Sequence, residues 1–559
     1  MGKTKKRVLK PVSLAVQQAL AAPAAPMNLT TAGGQIEVKW DHKSNATAMG
    51  QLAFFAEFLE ATGLFERWVE DCPLRYTSPN APKVRDVLGT WLLSILDGQS
   101  RYAHVASLRK DAVAPEVLGL SKIIGDESLR RALAHIAPAP KEGDDEAAQK
   151  RQQAKVALSS AWMDRALLDS VQHALDEKWI LDLDTTIKTL FGHQSGAEVS
   201  YNPHKPGRPS HAIHTYWVAN LRLVLQTRVE NGKAHGSAHS LPGLIELIKG
   251  LPQAKKPQLV RGDCAFGNEG VMCDLENIKQ PYLFKLKQSS NVKKLTGRQW
   301  HKSDWCDAGQ GWEACDDSLK LVGWTRERRV IVMRRPVKEM VVTTEGETEP
   351  AGVKPAKGRK AKGAGKKVVP QQISLNFIDE DAPTRQWEYA VLVTNSHYSV
   401  ALMGQLYRDR ADCENGFDEL KNQWGWGGYS TQDIERCNLS ARAVALVYNW
   451  WSWYVRLANP DGRLEAITSR PLLLAAVGRI TTHSGKTRVL LSVTHAAVDH
   501  VKELVGNVRK GLAHIMAIAP QLPRLQRWQA LTKYIVGKIF EAAAKKRARA
   551  NPPPALAMG

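Results

Sequence analysis

The stretch YRDRADCENGFDELK, residues 407–421, is crowded with charge, yet Tyr407, Arg410, Glu414 and Lys421 follow one another at offsets of three, four and seven. Such offsets bring side chains back to one side of an α-helix. On a helical wheel at about 100° per residue the four fall within an arc of about 60°. Leu406, Cys413, Phe417 and Leu420 make an apolar stripe beside them, while Asp409, Asp412 and Glu419 point elsewhere, toward solvent. The polar group is therefore expected at the rim of the buried face of a helix over 401–423, where a cleft would open. An i,i+4 ion pair between Arg410 and Glu414 explains two of the four, at only about 0.2–0.5 kcal/mol. A carboxylate flanked by a phenol and two cations has another use: carboxylate oxygens suit a hard divalent cation, and the other groups suit phosphate oxygens.

The charge of the whole chain points the same way. Lysine and arginine outnumber acids 77 to 56 over 559 residues, a formal net charge of +21. An excess of that size favours a polyanionic partner, nucleic acid or an acidic membrane surface, over a merely basic solvated exterior. No run reaches the roughly 18 apolar residues of a membrane span. The start, MGKTKKRVLKPVSLAVQQALAAPAAP, imitates a signal peptide, but Gln17 and Gln18 interrupt its apolar part. It reads as a loose basic arm that touches DNA phosphate, in a cytoplasmic protein. The seven cysteines are scattered with no C-x-x-C pair, which argues against a disulfide framework or a zinc knuckle.

Along the chain the texture changes several times. After the arm (1–47), residues 48–175 space their apolar residues by three and four, as in MGQLAFFAEFLEATGLFERWVE, and read as helical. Within them two short helices around Gly119 have the outline of a helix-turn-helix, with Arg130 and Arg131 on the second helix facing DNA. From KWILDLDTTIKTLFG onward, β-branched and apolar residues alternate with polar ones, and strands then mix with helices, an α/β pattern over 176–287. Residues 288–395 read as a β-rich insertion with many tryptophans, holding a low-complexity basic loop at about 341–372 too polar to fold. Helix returns over 396–458 and continues through 459–559, a region of expected dimerisation that ends in a basic tail.

With its spacing of two, three and six intervening residues, the Tyr407, Arg410, Glu414, Lys421 pattern resembles the Y-R-E-K signature of bacterial insertion-sequence DDE transposases of the cut-and-paste group. The resemblance implies an RNase H-like catalytic domain, interrupted by the β-rich insertion, with two aspartates on its strands upstream of the glutamate. Asp184, followed by Thr185 and Thr186 in LDLDTT, looks like the first; Asp182 shares its face of the strand and competes with it. Asp263, ending the apolar strand of LVRGD, looks like the second. Asp184 and Asp263 are 79 residues apart and Asp263 and Glu414 are 151 apart, the extra length being the insertion.

The same resemblance implies the remaining roles. Asp184, Asp263 and Glu414 would be catalytic and hold two Mg²⁺ ions, with Mn²⁺ as an alternative. Tyr407, Arg410 and Lys421 would grip DNA phosphate, and so would Lys205 and Arg208 of the loop YNPHKPGRPSH. Trp387 and Tyr389, just before the strand AVLVTN, are the candidates to stack on a flipped base. The partners would be double-stranded DNA, as transposon ends and target, and a second copy of the chain in a synaptic homodimer associated with the bacterial nucleoid. Cleavage would expose a 3′-OH, pass through a hairpin, and end in strand transfer. Two rivals share the acidic residues: an RNase H-like nuclease without strand transfer, and an inactive transposase-derived DNA-binding protein.

Overall fold

The computed structural model describes residues 26–550, apart from 40, 42–43, 203–204, 235, 301, 338–386, 430, 485, 493–495 and 519. The expected loop at 341–372 and the first half of the basic arm lie outside the described residues. Residues 27–38, expected within that arm, instead form an antiparallel hairpin, Met27–Thr31 with Gly34–Val38, turned at Ala32 and Gly33. Six helices follow: α1 (Leu52–Thr62), α2 (Leu64–Glu70), α3 (Val84–Leu96), α4 (Val113–Leu118), α5 (Asp126–Ile136) and α6 (Glu146–Val171). Every residue of α3 from Asp86 to Leu96 is buried, as its apolar surround requires.

The α/β expectation holds. A mixed sheet begins with β1 (Ile180–Thr189), β2 (Pro209–Val218) and β3 (Leu223–Asn231), paired antiparallel in sequence order. The chain then crosses through α7 (Gly236–Gly250) to β4 (Leu259–Gly262), which lies parallel to β1 on its other side. After α8 (Glu269–Asn277), β5 (Tyr282–Lys285) runs parallel to β4. The order β3-β2-β1-β4-β5, an antiparallel meander followed by two parallel strands with helical crossovers, is the RNase H-like arrangement.

The insertion does not make a sheet of its own. After α9 (Ser290–Gln299) come β6 (Cys306–Gly309), β7 (Trp312–Leu319), β8 (Arg328–Pro336) and β9 (Trp387–Thr394), and β9 pairs antiparallel with β5. Together with the two-residue strand Glu198–Val199 against β2, this gives one sheet of ten strands among the described residues. Cys306 and Cys315 remain free thiols, as do the other five cysteines.

Two helices then cover one face of the sheet, α10 (Val400–Arg408) and α11 (Ala411–Gln423). Met403 of α10 packs with Leu259, Leu283, Ile331, Met333 and Leu392. Helix α11 lies closer still: a Cβ on Gly416 would come within 2.9 Å of the Trp217 ring, so this contact with β2 needs glycine.

The long helix α12 (Ile434–Ala458) is buried along nearly its whole length. Asp433 caps it by accepting from the Arg436 amide at 3.0 Å. Its few polar residues serve the free edge of β3. Asn438 accepts from the Val229 amide, Arg442 donates to the Thr227 carbonyl, and Asn449 both accepts from and donates to the Val224 backbone. Unpaired edge groups buried under a helix would each cost about 1–3 kcal/mol, which explains polar side chains inside so apolar a helix.

The C-terminal region is not all helix. Between α13 (Ala466–Leu473) and α14 (Val498–Ile518), the hairpin Gly478–His483 and Lys486–Leu491 pairs with Ala46–Thr47 in a three-stranded sheet. Helix α15 (Arg524–Ala550) ends the described chain, extending into what reads in the sequence as a loose tail. Among the described residues no helix is long and apolar enough to cross a membrane.

Candidate active site

Strand alternation sorts the acidic residues. In β1, Leu181 and Leu183 face one side of the sheet, while Asp182 and Asp184 face the other; in the neighbouring strand Arg261 and Asp263 share the side of Leu259. That side is the one covered by α10 and α11. Asp182 and Arg261 are register partners, so two residues further on Asp184, in the middle of β1, and Asp263, just past the end of β4, follow together.

Asp182 and Asp184 have different surroundings. Asp182 is fully buried and receives both Arg261 Nε at 2.6 Å and Nη2 at 2.7 Å. Arg261 Nη1 in turn donates to the Leu406 carbonyl, so the pair ties β1, β4 and α10 together. With both carboxylate oxygens occupied, Asp182 has a structural task. Asp184 instead lines an open cleft of about 410 Å³ that Asp263 and Lys421 also line. Its Oδ1 accepts from the Thr185 amide at 2.8 Å, and Oδ2 lies 2.9 Å from Arg410 Nη2. Burial pushes its carboxyl up to about 6; Arg410 opposes this, and the charges of Asp263 and Glu414 add to it.

The signature helix is broken. Instead of one helix over 401–423, α10 ends at Arg408 and α11 starts at Ala411, with Asp409 and Arg410 in a tight turn where the Arg410 amide bonds to the Tyr407 carbonyl. The turn carries Arg410 inward, leaving it 6% exposed. Burial disfavours its charge, but the Asp184 carboxylate together with Cys413, Tyr407 and Asp263 outweighs this and raises the guanidinium further, keeping it protonated. Its Nη1 reaches Glu414 at 3.7 Å, and its buried Nε has no hydrogen-bond partner among the described residues. Tyr407 stands on the same side: burial pushes its phenol up to about 12, with Arg410 opposing and Asp263 adding to the rise. Burial lowers the Lys421 ammonium, partly offset by Asp184 and Asp418.

Glu414 stands apart from the two aspartates in exposure, its side chain 69% accessible on the first turn of α11. Among the described residues no three His, Cys, Asp or Glu side chains are gathered closely enough to hold a metal ion. Arg410 lies between Asp184 and Glu414 and bridges them. The oxygen donors suit Mg²⁺ or Mn²⁺ chemically, and Asp184 and Asp263 share a cleft that Glu414 does not line.

Other expected residues lie elsewhere. Lys205 and Arg208 stand over the ring of Phe191, at 4.8 and 5.6 Å from its centroid, and do not line the acid cleft. Trp387 and Tyr389 follow the alternation of Val391 and Val393, which puts them on the opposite face of β9 from Leu392, and hence from the acids. The Arg334 guanidinium lies over Trp387 at 4.4 Å and over Trp305 at 3.9 Å, so both rings are engaged within the insertion. Arg131, expected to face DNA, pairs with Glu127 on its own helix, whereas Arg130 stands over the Tyr102 ring. Glu419, expected in solvent, is 2% exposed. It accepts from the Ala466 amide and Trp424 Nε1 and pairs with Arg463. Tyr201 and Lys233 line the acid cleft and were missed; Tyr201 opens the loop YNPHKPGRPSH, which could have drawn attention to it, whereas Lys233 has no patterned neighbour.

Strand order and connectivity define the class, an RNase H-like α/β domain. More narrowly, the chain belongs to the family described as Transposase DDE domain group 1, whose sequence model matches residues 34–344, over half its length. The matched span contains Asp184 and Asp263 and ends before the Tyr407–Lys421 stretch. No curated protein matches the chain. A cryo-EM structure of the piggyBac transposase synaptic complex with hairpin DNA is similar at 10% identity and a TM-score of 0.34, over 89% of this chain and 85% of that one.

Proposed function

We propose that this transposase binds the ends of its insertion sequence, cleaves DNA there and transfers the resulting 3′-OH ends into target DNA. The observation that carries this reading is the convergence on one sheet face of Asp184, Asp263, Arg410, Tyr407 and Lys421, with Glu414 linked to them through Arg410. Asp184, Asp263 and Glu414 would hold two divalent cations, Mg²⁺ or Mn²⁺. When bound, these supply Lewis-acid polarisation of a phosphate and a more acidic water.

The chain's own residues do the positioning. Arg410, with an unpartnered buried Nε, is set to donate to a phosphate oxygen once its carboxylate partners turn to a cation. The neutral Tyr407 hydroxyl donates beside it, and Lys421 supplies a third donor across the cleft. A simple nuclease would share the carboxylates; this phenol and pair of cations favour retention of the cleaved end for transfer. The hairpin intermediate, the homodimer that pairs two ends and the nucleoid location belong to the same proposal.

The test incubates the purified full-length protein with DNA bearing the element's ends, with target DNA and with Mg²⁺. Glu414→Gln and Asp184→Asn should each abolish cleavage and joining while the melting temperature of Glu414→Gln stays at the wild-type value. Wild-type joining by Glu414→Gln would refute the assignment. Cleavage without joining by the wild-type protein would favour the nuclease reading.

A further inference from the structure

A second concave site adjoins the acid cleft, with a volume of about 710 Å³. Arg101 and Arg130 come to it from the helical N-terminal region, Phe191 from the loop after β1, and Lys421, Gly427 and Gly428 from the end of α11 and the loop beyond. Lys421 lines both sites, so they meet at one side chain. Among the described residues three cations line this groove, and no carboxylate does.

Its construction suits a polymer of charged backbone and flat rings. Phe191 is 69% exposed, an unusual place for a large apolar ring in a polar groove, and Lys205 and Arg208 stand over it. The opposite wall is backbone. A Cβ on Gly427 would meet nothing within 4 Å, which leaves that side open to a ligand. A Cβ on Gly428 would come within 2.0 Å of the Ser100 carbonyl oxygen, so the loop presses against the N-terminal region. Buried Lys188 of β1 donates to the Gly428 carbonyl at 2.7 Å and fixes the wall to the strand that carries Asp184. The groove is therefore held in register with the acid cleft from two sides.

We propose that this groove binds unpaired nucleotides of a DNA strand running to or from the acid cleft, with phosphates on Arg101, Arg130 and Lys421 and a base against Phe191. The proposal rests on the reading of the acid cleft as the place where DNA is cut. Aromatic stacking combined with cations along a groove is the general means of holding single strands, because every base presents a π-face. The groove is too small to enclose a duplex, and Phe191, unlike Trp387, stands largely exposed beside the acids' cleft.

The experiment measures fluorescence anisotropy of a labelled 12-nucleotide single strand, and of the duplex of the same sequence, with the full-length protein in EDTA. Phe191→Ala should weaken single-strand binding about tenfold, the effect of losing one stacked base, and leave duplex binding within twofold. Phe191→Trp should restore it. Arg101→Ala with Arg130→Ala should weaken binding and flatten its dependence on salt, since fewer counterions are released. Phe191 is exposed, and an unchanged melting temperature will show that its variants fold. Wild-type single-strand affinity in Phe191→Ala, or equal losses for single strand and duplex, would overturn the proposal. Asp184→Asn serves as the separating control: if it binds the single strand normally yet still cuts DNA, the cleavage reading falls and the groove stands.

Discussion

Replacing Asp182 by asparagine separates the two aspartates of β1 by what each one holds. The Asp182–Arg261 pair is bidentate, at 2.6 and 2.7 Å, and its side chains are 1% and 3% exposed. Arg131 and Glu127, at 3.0 Å but 74% and 63% exposed, make a superficially similar contact. Screening leaves such a surface pair about 0.2–1 kcal/mol. Removing one partner of the buried pair strands the Arg261 charge without solvent and costs about 3–5 kcal/mol. Asp182→Asn should therefore lower the urea midpoint and the melting temperature by clear margins, and Arg261→Met should do the same. The double variant Asp182→Leu, Arg261→Met should recover most of the loss, because no charge then remains buried. Folded Asp182→Asn should still cleave end DNA, whereas Asp184→Asn should not. Two results would refute the reasoning: an Asp182→Asn protein of wild-type stability, or one that stays fully folded at the assay temperature and cleaves no better than Asp184→Asn.

Three further outcomes are expected. Because Asp184 titrates at about 6, its carboxylate is progressively protonated as pH falls below that value, and binding of Mn²⁺, followed by calorimetry, should weaken roughly tenfold per pH unit below 6 and level off above about 7; affinity independent of pH between 5 and 7 would contradict this. Glu419→Ala should destabilise by about 3–5 kcal/mol, since it strands Arg463 and uncaps the Ala466 amide, while folded protein keeps its DNA affinity. Asn449→Leu leaves the Val224 amide and carbonyl unpaired under α12, at about 1–3 kcal/mol for each group, and amide hydrogen exchange should rise first in β3.

The strands of the site could be read directly in the sequence because alternation is local. LDLD and LVRGD each state which residues share a face, and pairing β1 with β4 needs no more than two apolar runs of the right length. That Tyr407, Arg410 and Lys421 lie on the side of the acids was legible from helical spacing, which is equally local. The break between α10 and α11 was not: Asp409 and Arg410 carry no glycine or proline, and the turn is stabilised by the inward ion pair with Asp184, a residue more than two hundred positions away. Glu419 was misplaced because a wheel assumes one buried side, whereas α11 is wedged between the sheet and the segment from α12 to α13. The β-rich insertion was visible as strands, but which edge β9 joins depends on partners that composition does not record. Trp387 and Tyr389 lie within β9 on the face opposite the acids, a one-residue distinction that proximity along the chain cannot make.

The polar residues of α12 carry a consequence for synthesis. β3 leaves the ribosome more than two hundred residues before Asn438, Arg442 and Asn449, the groups that close its edge. During that interval the nascent sheet presents open backbone donors and acceptors to any other extended chain. A message cut short anywhere in the insertion would yield a product carrying both aspartates of the acid cleft but a permanently unsealed strand, prone to aggregate and be degraded. Completion of the C-terminal third thus acts as a checkpoint on solubility, and it is the same part of the chain that brings Glu414.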